Sequence, residues 1–112
     1  MMRIAIPVAQ GYLTQHFGHC GGFDVFEITD DKAIAKKEHI AAPPHEPGLL
    51  PRFLAEKGAT HVIAGGMGSR ACDLLVERGI TVITGAPAER SERIVADYLA
   101  GVLATGANGC DH

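Results

Sequence analysis

The 112-residue chain is 46% apolar and 21% charged, with a net charge of −3 when its six histidines are neutral. That length suits one domain with its own core and leaves no room for a second. The mildly acidic sum, with no run of Lys or Arg, argues against a nucleic-acid or membrane-surface partner, and no stretch approaches the roughly twenty apolar residues of a membrane span.

Arg3 to Val8 reads as a buried strand, with Ile4, Ile6 and Val8 alternating and Pro7 near its end. It follows the start without a secretory signal pattern. Ala9 to Gly22 has neither helical nor strand period and is expected to be one long loop, a length usually reserved for function. Phe23-Asp24-Val25-Phe26-Glu27-Ile28 is a second strand, turned at Asp30-Asp31 into a third over Lys32 to Ile40. Ala41 to Gly48 holds three prolines and favours an extended, irregular path. Leu49, Leu50, Phe53, Leu54 and Lys57 recur at helical spacing, with Pro51 tolerable in the first turn and Gly58 suited to the end. Thr60 to Ala64 is a short apolar strand running into Gly65-Gly66-Met67-Gly68. Ser69 is the natural N-cap of the next helix, which ends at Gly79. Ile80 to Thr84 is the last strand, and a final helix from about Ala88 carries Ile94, Val95, Tyr98, Leu99 and Val102 on one side. Residues 1–104 thus form the domain, and 105–112 a flexible tail.

The order is strand, loop, hairpin, then helix–strand–helix–strand–helix, which implies a mixed α/β sheet covered by helices. The long loop and the Gly-rich turn come together only if the first and fourth strands are neighbours, which patterning alone does not establish.

His16-Phe17-Gly18 after a first strand, followed by Phe23 to Ile28, resembles the opening of the dinitrogenase iron–molybdenum cofactor biosynthesis family, the NifX/NifB type. Val62-Ile63-Ala64-Gly65-Gly66-Met67-Gly68-Ser69-Arg70-Ala71, Leu75, Gly79-Ile80-Thr81-Val82, Tyr98 and Gly101 resemble its second half. The likeness spans Ile4 to about Leu103 in the right order, and the ordered set carries it rather than any single motif. The resemblance implies a ribonuclease-H-like α/β fold with a mixed five-stranded sheet ordered 3-2-1-4-5. It also implies binding, storage or transfer of an iron–molybdenum-type cluster, or of another molybdenum-, copper- or iron-containing sulfur cluster, by a carrier rather than an enzyme. A cluster-donating or cluster-accepting protein is the implied partner. Cys20, Gly21-Gly22 and the Cys110-Asp111-His112 ending depart from the family pattern.

Without the family, His16, His19 and Cys20 place two imidazoles and a thiol within five positions. These are soft and borderline ligands for copper, zinc, iron or sulfide-bridged metals. One such loop histidine alone is ordinarily just exposed; the grouping, and the family motif at His16, favour a metal role. Cys20 beside two histidines is suited to bind as thiolate. His45, which the resemblance places near the same end of the sheet, is either an exposed loop residue or a further ligand. Gly65, Gly66, Met67, Gly68 and Ser69 are either a tight strand-to-helix turn or a cofactor-binding turn. In the second case backbone N–H groups at a helix N-terminus would hold an anion such as a thiometallate, and Met67 would offer a thioether or an apolar wall. Cys72, His39 and His61 read as structural, and Cys110 and His112 as a Cys-x-His pair on the tail. Cys20, Cys72 and Cys110 form no Cys-x-x-Cys pair, so reduced thiols and a cytoplasmic location are expected.

A nuclease would need carboxylates converging on a metal. The first strand has no acid, and Asp24 and Glu27 face opposite sides by the period of two. A Cys–His hydrolase has no oxyanion feature to support it. The alternative to a carrier is a metal-free small-anion or ligand-binding regulatory module built on the Gly-rich turn.

Overall fold

The computed structural model describes residues 2–14, 21–42 and 49–106. Alternation along the first apolar run becomes β1 (Met2–Ala9), whose Ile4, Ile6 and Val8 enter one core cluster while Ala5 enters another on the opposite face. Pro7 is tolerated in this central strand for a local reason. Its carbonyl accepts the Thr14 N–H at 3.0 Å, so its missing N–H falls on the same side, past the rung that Ala5 makes with Val62.

The chain then departs from the expected single long loop. Gln10 and Gly11, both at positive φ, reverse it into β2 (Tyr12–Leu13), which pairs antiparallel with Val8 and Ala9. Strands β3 (Gly22–Ile28) and β4 (Ile34–Ala41) form the expected hairpin. Helix α1 (Leu49–Glu56) leads to β5 (His61–Ile63), helix α2 (Ser69–Glu77) to β6 (Thr81–Ile83), and helix α3 (Ser91–Leu99) follows. The sheet therefore has six strands, one more than expected. Its path is β4-β3-β1-β5-β6, with β2 attached to β1 outside that path. β3 is antiparallel to β1, whereas β5 and β6 run parallel to it in turn.

Helices α1 and α2 cover one face, where Leu50, Leu54 and Leu75 join Ala5, Phe23, Val25 and Val62 in an apolar cluster. Helix α3 covers the other with Ile94 and Val95, against Ile4, Ile6, Val8, Phe26 and Ile28. The final helix starts at Ser91 rather than near Ala88. The Glu89 carbonyl accepts the Leu13 N–H at 2.9 Å and Arg90 bridges Tyr12, so β2 holds this stretch extended. Val102 lies beyond that helix and is exposed, not on its apolar side.

No helix among the described residues is long and apolar enough to cross a membrane.

Candidate functional site

The sheet has one end at which β1, β5 and β6 finish, β3 begins and β4 finishes, since Val8 pairs with Gly22 and Gly22 with Ala41. The chain on both sides of residues 15–20 is fixed there. Besides the Thr14 bond, the Gly21 N–H donates to the Val8 carbonyl at 3.1 Å, and the Ala42 N–H donates to the Gly21 carbonyl at 3.3 Å. Thus the segment bearing His16, His19 and Cys20 and the segment bearing His45 both depart from this end. Those four residues, together with Cys110 and His112, lie outside the described residues. Among the described residues, no group of three or more His, Cys, Asp or Glu side chains is placed to hold a metal ion.

The Gly-rich turn occupies the same end. After β5, the Ala64 N–H donates to the Ile83 carbonyl at 2.9 Å, and the Gly65 carbonyl accepts the Gly85 N–H at 2.7 Å. The turn is thereby fastened to the stretch after β6. Gly65 and Gly66 are buried, while Gly68 and Ser69 are exposed. Met67 is 0% exposed and belongs to the core under α1 and α2. Its thioether anchors the turn from beneath and is not presented at the surface. Ser69 is the first helical residue of α2 and not its cap. The N-cap is Gly68, extended at φ −63° and ψ 151°, and it brings no side-chain oxygen to the first N–H groups. No acid lies in that first turn. Cys72, half-buried, packs against the core as expected of a small apolar residue.

The topology adds to this. Each helix follows a strand that finishes at this end, and α1 and α2 return the chain to the start of the next strand. All three helix N-termini therefore face the end that carries the two segments. Each contributes a partial positive charge of roughly half an electron from its macrodipole.

One group here was not singled out as functional from sequence. Asp24, 3% exposed, is among the few buried polar residues of the core. Its Oδ2 accepts the hydroxyl of Ser91, itself 0% exposed, at 2.5 Å, and its Oδ1 lies 2.8 Å from His39 Nδ1. The Lys37 ammonium is 3.8 Å from Oδ2 and pairs with Glu92. The hydrogen bond to Glu92 holds Lys37 above its ordinary value, and the same bond holds Glu92 below its own. The available signal was an acid inside an otherwise apolar run, Phe23-Asp24-Val25-Phe26.

At the other end of the sheet, the Arg3 guanidinium pairs with Glu27 at 2.8 Å. His61 Nδ1 sits 2.8 Å from Thr60 Oγ1, with the Tyr98 ring 6.0 Å away. Burial pushes the His61 imidazole below its ordinary value. Its surroundings are structural, in line with the reading of the sequence.

The pattern of these elements along the chain matches a family model. The model described as dinitrogenase iron-molybdenum cofactor covers residues 1–101. The chain belongs to this family. Members are associated with the binding and biosynthesis of iron–molybdenum cofactor, which accords with a cofactor-binding domain. Among solved structures, the protein PH0822 is 29% identical with a TM-score of 0.88, over 96% of each chain. The apo form of the orange protein of Desulfovibrio gigas is 24% identical with a TM-score of 0.75, over 96% of this chain and 95% of that one. A protein of Methanocaldococcus jannaschii provisionally described as a dinitrogenase is 14% identical with a TM-score of 0.76, over 96% of each chain. The last two likenesses speak to the fold alone. No curated protein matches the sequence.

Proposed function

We propose that this protein is a non-catalytic carrier that binds, stores or hands on an anionic metal–sulfur cluster of the iron–molybdenum or molybdenum–copper type. The observation that carries this reading is the convergence at one sheet end. Three helix N-termini, a glycine-capped turn and the attachment points of both histidine-bearing segments meet there. Such an end attracts a negative cargo through N–H groups and dipoles, and the soft donors His16, Cys20, His19 and His45 suit its metals. The donor set fits the cargo chemically. Gly65, Gly66, Gly68 and Ser69 would supply N–H contacts, and Met67 the apolar floor beneath them. Residues 1–104 would form the binding domain, and a donor or acceptor protein of the cluster would be its partner in the cytoplasm. A carrier gains from open, modest-affinity contacts, because a cluster held too tightly cannot be passed on.

The test is anaerobic reconstitution with a thiomolybdate, with and without copper or iron, followed by visible spectra and metal analysis. Wild type is run beside His16→Ala and Cys20→Ala. Stoichiometric coloured binding that weakens in His16→Ala is the expected result. No uptake of any metal–sulfur species would reject the carrier and leave a metal-free anion-binding module, for which the N-terminus of α2, capped by no side chain, would be the site.

A further inference from the structure

His39 has a feature that a structural role does not require. The register of the β3–β4 hairpin sets it opposite Asp24, and the Asp24 carboxylate accepts only at oxygen, so the 2.8 Å contact to Nδ1 makes that nitrogen the protonated one. In the neutral ring the remaining nitrogen, Nε2, carries the lone pair. The carboxylate is itself fixed in the interior by the Ser91 hydroxyl and steadied by Lys37. Yet the imidazole it orients is on the surface, its side chain 58% exposed. A carboxylate bonded to one ring nitrogen of a surface histidine is the arrangement by which proteins hold a metal-binding imidazole in one tautomer and one orientation.

The ring also has a made seat. It lies over Gly22 so closely that a Cβ at that position would stand 2.8 Å from Cε1, from Nε2 and from the Ile40 carbonyl oxygen, so no other residue fits there without shifting both the imidazole and the β4 backbone. Gly22 is where the chain re-enters the sheet, at the end to which the three helix N-termini point.

We propose that His39 is a metal ligand of this protein, binding through Nε2 a first-row transition ion of the cargo, with Asp24 as the positioning residue that presents it. The inference rests on the carrier reading for the identity of the cargo, while the ligand itself is open to separate test. Imidazole suits copper, zinc and iron in such a role.

The experiment uses the full chain in its apo form, with histidine-selective long-range 1H–15N spectra as a readout at the ring nitrogens. Zn2+ alone is added first, and then a thiomolybdate with copper under anaerobic conditions. The expected result is a shift of His39 Nε2, with Nδ1 still protonated, at one equivalent of metal. Affinity should fall about tenfold or more in His39→Ala, and in the same direction in Asp24→Asn. His39→Ala should stay folded, with a melting temperature lowered because the buried Asp24 Oδ1 loses its donor, so affinity is compared per folded molecule. An unmoved Nε2, or variants that change stability while binding as well as wild type, would overturn the proposal and leave Asp24–His39 as a cross-strand pair only. Should wild type take up no thiomolybdate species, the carrier reading fails. The Zn2+ spectra then decide His39 alone, a shift supporting the ligand and no shift rejecting it.

Discussion

The two faces of the sheet are packed by different means. Under α1 and α2 the core is apolar throughout, with Phe23, Leu54, Met67 and Leu75 fully enclosed. Under α3 an equally apolar set surrounds one buried polar pair, Asp24 and Ser91. The first face supplies stability through enclosed area. The second gives up some of that area for a carboxylate that reaches from the interior to the surface through His39. The polar pair lies within two rungs of the sheet end where the segments attach, so it bears on the site rather than on the bulk of the core.

That contrast can be broken deliberately. Phe23→Ala, on the apolar face, should cost about 3–5 kcal/mol in a denaturant melt, with cluster uptake per folded molecule unchanged. Asp24→Ala should cost about 1–3 kcal/mol, because the Ser91 hydroxyl is left buried without its acceptor. Adding Ser91→Ala should restore part of the loss, since replacing both partners by apolar groups removes the orphan; a double variant as unstable as the sum would show that the pair is not coupled. Gly85→Ala should cost about 1–2 kcal/mol, for Gly85 sits at φ +78° and a Cβ there would run into the Gly106 carbonyl. Faster amide exchange at Gly106, whose N–H donates to the Gly85 carbonyl at 2.7 Å, would report the same change. The smallest effect belongs to His61. Burial lowers its folded value from an ordinary 6.5, so the unfolded chain takes up the proton first. Stability should therefore decline as pH falls through about 6.5 and level off below the folded value. His61→Gln should flatten that part of a melting profile taken across roughly pH 5–8.

Much of this architecture was legible in the residues. Alternation in Ile4, Ile6 and Val8 gave β1, and the helical spacing of Leu50 and Leu54 gave α1, because each pattern follows from which side must be buried. Pairing was less so. Nothing in Thr60 to Ala64 says that it lies beside β1, and the parallel rungs Ile4–His61 and Ala5–Val62 are what bring the Gly-rich turn to the end at which β1 finishes. Strand β2 was missed because two residues are too few for periodicity. Their stability comes from a reversal at Gln10 and from Glu89, far along the chain. Ser69 reads as a cap by residue type, whereas the helix geometry places the cap at Gly68.

The Asp24–His39 pair was hidden by register. A simple two-residue turn at Asp30-Asp31 would set Asp24 opposite Lys37. The longer turn, closed by the Thr29 N–H on the Ala33 carbonyl at 2.9 Å, and the irregularity between Glu27 and Ile28 shift β4 so that His39 faces it instead. A shift of two positions keeps the same face of the strand, so hydropathy carries no trace of it.

The hydrogen bond between Gly106 and Gly85 has a practical consequence for anyone handling the protein. Whatever is attached after Gly106 leaves from beside the stretch that fastens the Gly-rich turn, whereas Met2 stands at the opposite end of β1, about 25 Å away for eight strand residues. An affinity tag or fluorescent reporter joined directly after Gly106 would start beside the proposed binding end, and a polyhistidine tag there would supply competing imidazoles. The same label placed at the N-terminus would leave that end clear.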